Sequence, residues 1–471
     1  MKPFTSDIVI GLEIHANTNS RTKLFCGCPN APSSIPNTQT CPTCLGMPGS
    51  KPVLNKRCVE QAVQLCLALG CTVAKQLVFS RKSYFYPDLA KNYQITQYEL
   101  PLGQKGKLAL SSGREIGIIR IHLEEDPASL LHPGSIASAP YVLIDYNRSG
   151  TPLLEIVTEP ALASPEEARE FMNALITVLQ YLEIFDVDTC IIKADANISV
   201  RASGYVRVEV KNITGFREIE RALFYEVDRQ KHELSEGRQI TAETRGWDAE
   251  KGVSYSLRTK ESEDDYGYII DPDLVPVGIS PQWIARLRAA LPELAQEKTK
   301  RFIREHRISP VDAGVLAQEK LLAGLFEKVA AKISPQLAAK WLRRELVRVL
   351  NYSGKTMKEL QIDESHLIDL LTLVEKKRIT EATAQRIMER LMEGPFDVKE
   401  HVRQQGLEAV ADAGQLDALC REAIRENQKA VDDYRNGEEK ALHFLMGVVM
   451  KKSKGRASPK EVTEILKRLV Q

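Results

Sequence analysis

Four cysteines offer the most specific chemistry in this chain. Cys26 and Cys28 are followed, after twelve intervening residues, by Cys41 and Cys44. Two short thiol pairs can deliver four thiolates to one tetrahedral zinc ion, and a full set of four leaves no open position for water, so a structural zinc is expected. Buried free thiols are the alternative. Acids, bases and aromatics gather in four further segments. In the run from Ile8 to His15 apolar residues alternate with others, so Glu13 and His15 share one strand face and can act as two ligands or as an acid and base. The run Ile119-Arg120-Ile121-His122-Leu123 ends in Glu124, Glu125 and Asp126, and acids at a strand end suit a hard cation with oxygen ligands, magnesium above all. Arg81, Lys82 and Tyr84 lie in a cationic, aromatic loop that can hold phosphates by charge and a base by stacking. Asp195 and Asn197, with Glu209 and Lys211 on a returning strand, make one hairpin face almost wholly polar, as the floor of a nucleotide and metal site would be. Each of these four also has a plain reading: a solvated edge, a self-packing loop, a solvated turn or a surface hairpin. Glu155, within Leu153-Leu154-Glu155-Ile156-Val157, adds an acid to an apolar strand, and a buried acid needs partners.

The elements that position these residues change character along the chain. Up to about residue 290, short strands with Gly and Pro punctuation predict an α+β, mainly antiparallel region. One clear helix interrupts it, opened by Ser164 as N-cap, Pro165 in the first turn and the acids Glu166 and Glu167. After Leu291-Pro292 helical periodicity dominates, with a break near Gly394-Pro395 and a last cap signal at Ser458-Pro459-Lys460-Glu461. Three domains are expected, at 1–292, 293–405 and 406–471, the latter two all-α. With 471 residues, 43% hydrophobic and 27% charged, the composition is that of a soluble globular protein. The N-terminal residues lack the apolar core of a signal peptide, and no run reaches the roughly 18 apolar residues of a membrane span. Cytoplasmic residence without a membrane partner is the expectation. Nine cysteines, an odd number, argue against a disulfide framework, and Cys58, Cys66, Cys71, Cys190 and Cys420 read as core. With 64 basic and 63 acidic residues the whole chain does not advertise nucleic acid. Between Arg301 and Leu350, however, ten Lys or Arg face five acids, an excess that could meet phosphates or simply form a solvated helix face.

Taken in order, these segments resemble the B subunit of the glutamyl/aspartyl-tRNA amidotransferases nearly end to end. The resemblance is carried by Val9 to His15, the cysteine quartet, Cys44 to Gly49, Arg81 to Asp88, His122 to Asp126, Asp145 to Val157, Asp195 to Val200 and Glu209 to Asn212. Thr244 to Trp247, Asp271 to Leu274, Met446 to Met450 and Gly455 to Pro459 continue it. It implies a cradle-like catalytic domain carrying a zinc-binding insertion, followed by two helical domains that hold tRNA. It also implies that ATP and Mg2+ activate the side-chain carboxylate of Glu-tRNA(Gln) and/or Asp-tRNA(Asn), and that ammonia then displaces the phosphate. Carried over by motif, Glu13, His15, Glu124 and Glu125 would lie at the magnesium site, and Lys82 and Glu125 where ammonia enters. Asp195, Asn197, Glu209 and Lys211 match motif positions without individual roles. An amidase A subunit and a small C subunit are the implied partners, because this chain has no amidase signature and no nucleophile elbow.

The chain also departs from the resembled pattern. Cys190-Ile191-Ile192-Lys193-Ala194 stands for Gly-Ser-Leu-Arg-Cys, Asn212 to Phe216 for Asn-Leu-Asn-Ser-Phe, and Asp265-Tyr266-Gly267-Tyr268-Ile269 for Asp-Tyr-Arg-Tyr-Phe. These changes leave two rivals: a zinc-stabilised tRNA-binding module that has lost catalysis, and an unrelated metal-dependent phosphotransferase.

Overall fold

The alternating run near the N-terminus forms β1 (Ile8–Asn17), whose Ile8, Ile10, Leu12 and Ile14 point to one face and whose Glu13 and His15 point to the other. In this computed structural model the described residues are 4–133, 139–259, 266–409, 413–453 and 455–470. After β1 come α1 (Lys56–Ala68), β2 (Thr72–Val73), β3 (Gln76–Leu77), β4 (Ser80–Ser83), β5 (Tyr93–Thr96), β6 (Gly103–Ala109) and β7 (Glu115–Glu125). They are followed by β8 (Ser129–Leu131), β9 (Leu143–Asp145), β10 (Pro152–Thr158), α2 (Pro165–Tyr181), β11 (Ile192–Val200), β12 (Val208–Thr214) and α3 (Phe216–Ser235). β13 (Glu243–Asp248), β14 (Val253–Thr259), β15 (Ile269–Ile270), β16 (Val277–Gly278) and α4 (Pro281–Ala289) complete this part.

Nine strands form one sheet in the order β14-β13-β12-β11-β1-β10-β7-β6-β2. Its pairs are antiparallel except β12 and β13, which run parallel because α3 crosses between them. Register makes the apolar face continuous: Ile121, Ile156, Ile14, Ala194 and Ile213 stand in one cross-strand row, and all five are fully buried. Against that face pack Val63 and Leu65 of α1, Phe171 and Leu175 of α2, and Ile219 and Leu223 of α3. The other face carries most of the sheet's charged and polar side chains.

Local signals explain where the helices start. The Ser164 hydroxyl accepts from the Glu167 amide at 3.2 Å, Pro165 occupies the first turn, and the Glu167 carboxylate accepts from the Ala163 amide at 2.8 Å, as the sequence predicts. Sequence pattern alone marks only this helix before residue 290. The structure adds α1, α3 and α4. α1 is hard to read because Gln61 and Gln64 are buried with its apolar residues, which blurs the amphipathic stripe. Among the five remaining cysteines, Cys58, Cys66, Cys71 and Cys420 are core, but Cys190 is only half-buried because it sits in the irregular stretch before β11.

The chain divides into two units, Met1–Leu294 and Ala295–Gln471. The first is α+β with a mainly antiparallel sheet, and the second is helical throughout its described elements. The second unit holds two apolar clusters, one including Phe302, Phe326, Trp341 and Leu370, the other Leu416, Leu445, Leu466 and Val470. Its last helix, Pro459–Val470, begins directly after Ser458. At least six of the ten cations between Arg301 and Leu350 are paired with acids of the same unit: Arg301 with Glu327, Arg304 with Glu305, Lys328 with Glu364, Lys340 with Glu381, Arg343 with Asp312, and Arg348 with Glu345. The free excess of charge is therefore smaller than the count suggests. Among the described residues no helix is long and apolar enough to cross a membrane.

Candidate functional site

Cross-strand register builds the site. His122 of β7, Glu155 of β10, His15 of β1, Lys193 of β11 and Thr214 of β12 occupy one row on the polar face. The next row sets Arg120, Val157, Glu13 and Asp195 side by side, and another sets Gly11, Asn197, Glu209 and Thr244. Toward the end of β7, Glu124 stands opposite Leu153, which in turn faces Asn17.

At the centre, one ligand atom each from His15, Glu124 and Glu155 lies within 4.8 Å of the others. His15 Nε2 is 3.8 Å from Glu124 and 3.5 Å from Glu155, while His122 Nε2 is 3.5 Å from Glu124 and 3.1 Å from Glu155. Burial alone would push both imidazoles toward neutrality. The two carboxylates outweigh it and raise His15 and His122 to about 9. Burial works against the Glu155 charge, but the two histidines hold its carboxyl well below the usual range. One imidazole and two carboxylates at this spacing suit a divalent cation: the two carboxylates fit a hard ion such as magnesium, and the imidazole would serve a transition ion as well. His122 Nδ1 is buried without a partner among the described residues.

The structure brings together only some of the residues expected at the metal. Glu13 shares the face, but its carboxylate accepts from Asn197 Nδ2 at 3.2 Å. Glu125 is held by Lys91 and by the Ile95 amide at 3.0 Å, whereas Glu124 accepts from the Thr96 hydroxyl at 3.0 Å. Neither Glu13 nor Glu125 joins the three-ligand group among the described residues. Glu155 and His122 are the residues that sequence reasoning left out of the site. The signal lay in the lone acid of an apolar strand, but it became readable only once register set Glu155 between His15 and His122.

Around this centre lies a polar rim. A bulge in β12 opposes Lys211 and Asn212 to Asp195, with Asn212 in the left-handed region at φ 66°. Lys211 Nζ thereby reaches Asp195 at 2.9 Å and Glu209 at 3.2 Å, and these carboxylates outweigh burial to raise its pKa. Glu209 also accepts from the Thr244 hydroxyl at 3.1 Å. Asn197 accepts from Arg207. Lys82 Nζ lies 4.5 Å from the ring centre of Tyr266 and 5.7 Å from that of Tyr84. Burial first, then the nearby Asp88 and Glu124 charges, raises the Tyr84 phenol. The Arg81 guanidinium binds Asp271 at 2.9 Å and Asp273 at 3.0 Å, tying the segment after β15 to β4. A side chain at Gly267 would meet only Ser83, at 3.9 Å, so space remains where an arginine was expected. Asp265 lies outside the described residues.

The thiol quartet forms a second centre. One sulfur each from Cys26, Cys28, Cys41 and Cys44 lies within 4.8 Å of the others, which fits a tetrahedral zinc site. A hydrogen bond from Cys26 lowers the Cys44 thiol, and the Lys23 ammonium 3.7 Å away acts in the same direction. Lys23 is fully buried and also donates to the Gln39 carbonyl at 2.8 Å and the Tyr146 carbonyl at 3.3 Å.

Comparison with known proteins agrees with this architecture. Residues 8–285 match the model of the GatB/GatE catalytic domain and residues 324–470 that of the GatB domain. The chain is 42% identical to the B subunit of the aspartyl/glutamyl-tRNA(Asn/Gln) amidotransferase of Carboxydothermus hydrogenoformans, over 98% of each chain. It is 43% identical to the proteins of the same name from Caldanaerobacter subterraneus subsp. tengcongensis and Methanospirillum hungatei, again over 98% of each. A catalytic-domain match that spans the whole polar sheet, with full-length relatives at this identity, establishes that the chain belongs to the family of aspartyl/glutamyl-tRNA(Asn/Gln) amidotransferase B subunits.

Proposed function

We propose that the polar face of the first unit activates the side-chain carboxylate of Glu-tRNA(Gln) and/or Asp-tRNA(Asn) with ATP and then transfers ammonia to it. The observation that carries this reading is the convergence of His15, Glu124 and Glu155, with His122 beside them, on the face that also bears Lys211 and Lys193. A carboxylate is a poor electrophile until one oxygen becomes a good leaving group. Its oxygen attacks the terminal phosphorus of ATP, the bond to ADP breaks, and an acyl phosphate forms. Ammonia then attacks the acyl carbon, the carbon–oxygen bond to phosphate breaks, and the amide keeps the other oxygen after losing a proton.

His15, Glu124 and Glu155 would hold the magnesium ion, which when bound neutralises charge on the transferring phosphoryl group. Glu13 orients Asn197, while Asp195 and Glu209 fix Lys211 where a cation can face developing negative charge. Lys82 and Glu125 stand at the ammonia entry. The Cys26, Cys28, Cys41 and Cys44 zinc is structural. Ammonia comes from glutamine hydrolysed by the amidase A subunit, a small C subunit completes a heterotrimer, and the helical stretches 293–405 and 406–471 bind the tRNA.

The test is ATP consumption and amide formation by the reconstituted heterotrimer on each mischarged tRNA. Glu124→Gln and Glu155→Gln should each lower amide formation at least about a hundredfold with tRNA binding unchanged, since even a residue outside the ligand shell is worth about ten- to a hundredfold. Wild-type heterotrimer that bound the tRNA yet consumed no ATP would overturn the reading and favour a binding module.

A further inference from the structure

Lys193 is a cation whose partner has yet to arrive. It lies on β11 directly opposite His15, so its side chain leaves the sheet on the polar face beside a ligand of the central cluster. It is half-buried, yet among the described residues its ammonium makes neither a hydrogen bond nor an ion pair. Of its charged neighbours two acids are engaged elsewhere, a third stays outside ion-pair reach, and a cation opposes it. Asp126 accepts from Asn17 Nδ2 at 3.2 Å and lies 3.6 Å from Arg148. Asp195 is taken by Lys211 and by the Asn212 amide. Asp88, one of whose oxygens is buried without a hydrogen-bond partner among the described residues, attracts Lys193 without forming an ion pair with it. Arg148, fixed by the carbonyls of Pro127 and Ala128, repels Lys193 rather than serving it.

An ammonium taken partly out of water without a counter-ion carries a penalty that an arriving anion removes. Cross-strand neighbours stand about 5 Å apart at Cβ, and the long lysine stem lets its head swing toward whatever binds at His15. We infer that Lys193 is a phosphoryl-binding residue, meeting the terminal phosphoryl group of a nucleoside triphosphate seated against the His15, Glu124 and Glu155 cluster. A compact point charge on a flexible stem suits a phosphoryl oxygen, which needs charge more than it needs a planar fork. The inference rests on the proposed ATP activation and assigns the contact to this chain's own strand β11.

The experiment is equilibrium binding of ATP and ADP to the intact heterotrimer with magnesium present, for wild type, Lys193→Met and Lys193→Arg. Lys193→Met should weaken ATP binding about tenfold or more, the worth of one charge-assisted contact, and weaken ADP less. Lys193→Arg should restore most of the loss, and binding of mischarged tRNA should be unchanged in both. Melting curves check folding, and Lys193→Gln replaces the methionine variant if that one misfolds. Wild-type binding of ATP that the neutral variants retain would overturn this inference alone. So would a loss confined to mischarged tRNA, which would put the ammonium on the substrate carboxylate instead. Wild type that bound no nucleotide would overturn the ATP reading and this inference together.

Discussion

At the scale of single residues, the two histidines make the site sensitive to pH. His15 and His122 hold their protons up to about 9 in the fold, against an ordinary value of 6.5, because Glu155 and Glu124 face them. A group that binds its proton more tightly when folded stabilises the fold fully below its unfolded value and loses that contribution as pH rises through the folded one. The metal-free chain should therefore melt at falling temperature between pH 6.5 and 9. A divalent ion needs the neutral imidazole of His15, so added magnesium should raise the melting temperature more at pH 9 than at pH 6.5. Differential scanning calorimetry with and without the ion checks this, and a stability that is level across the window would contradict the reading of these two side chains. His15 and Glu124 are legible from the sequence because alternation alone puts them on polar faces. Glu155 is not, because a single acid in Leu153-Leu154-Glu155-Ile156-Val157 names no partner until β10 is known to lie between β1 and β7. The pairing of Arg81 escapes the sequence for a related reason: its attraction to Asp271 and Asp273 joins residues about 190 positions apart, which no local pattern reveals.

At the scale of elements, the thiol quartet braces a segment that serves the site. The Asn37 amide donates to Asp145 at 2.9 Å, the Tyr146 amide to Asn37 at 2.7 Å and the Gln39 amide to Asn147 at 2.7 Å, while Ser149 Oγ donates to the Cys44 carbonyl at 2.9 Å. The loop between the two thiol pairs thus grips 145–149, the segment that carries Arg148 to Asp126 at the end of β7. Gly46, just past the second thiol pair, lies against Lys91, the partner of Glu125: a Cβ there would meet the Lys91 side chain. Removing the zinc proposed for the quartet should loosen both grips. Cys41→Ser in the heterotrimer is expected to lose zinc by elemental analysis and to lower amide formation about tenfold or more, with little change in helical circular dichroism. A zinc-free variant with full activity would reduce the quartet to a local staple. The grouping of the cysteines can be read from spacing, but their hold on 145–149 cannot, because it runs through backbone groups and asparagines that carry no motif of their own.

At the scale of the whole molecule, the division into a strand-rich first part and a helical second part is plain from the change of periodicity near Leu291-Pro292, and the boundary between the units falls after Leu294. α1 and α3 escape the sequence pattern because one is buried on nearly every side and the other follows a glycine N-cap without a side-chain signal. The ten cations from Arg301 to Leu350 suggest a broad basic surface, yet pairing within the helical unit neutralises most of them, so charge counting overstates what phosphate would meet. What links the polar sheet of the first unit to a tRNA-borne substrate is the claim that a side-chain carboxylate is phosphorylated before it is amidated. That claim is tested most directly by following oxygen. With mischarged Glu-tRNA labelled by 18O in the glutamate side-chain carboxylate, the heterotrimer should release one labelled oxygen in inorganic phosphate for each amide formed, since one carboxylate oxygen leaves with phosphorus. Amide formed together with unlabelled phosphate would contradict the account.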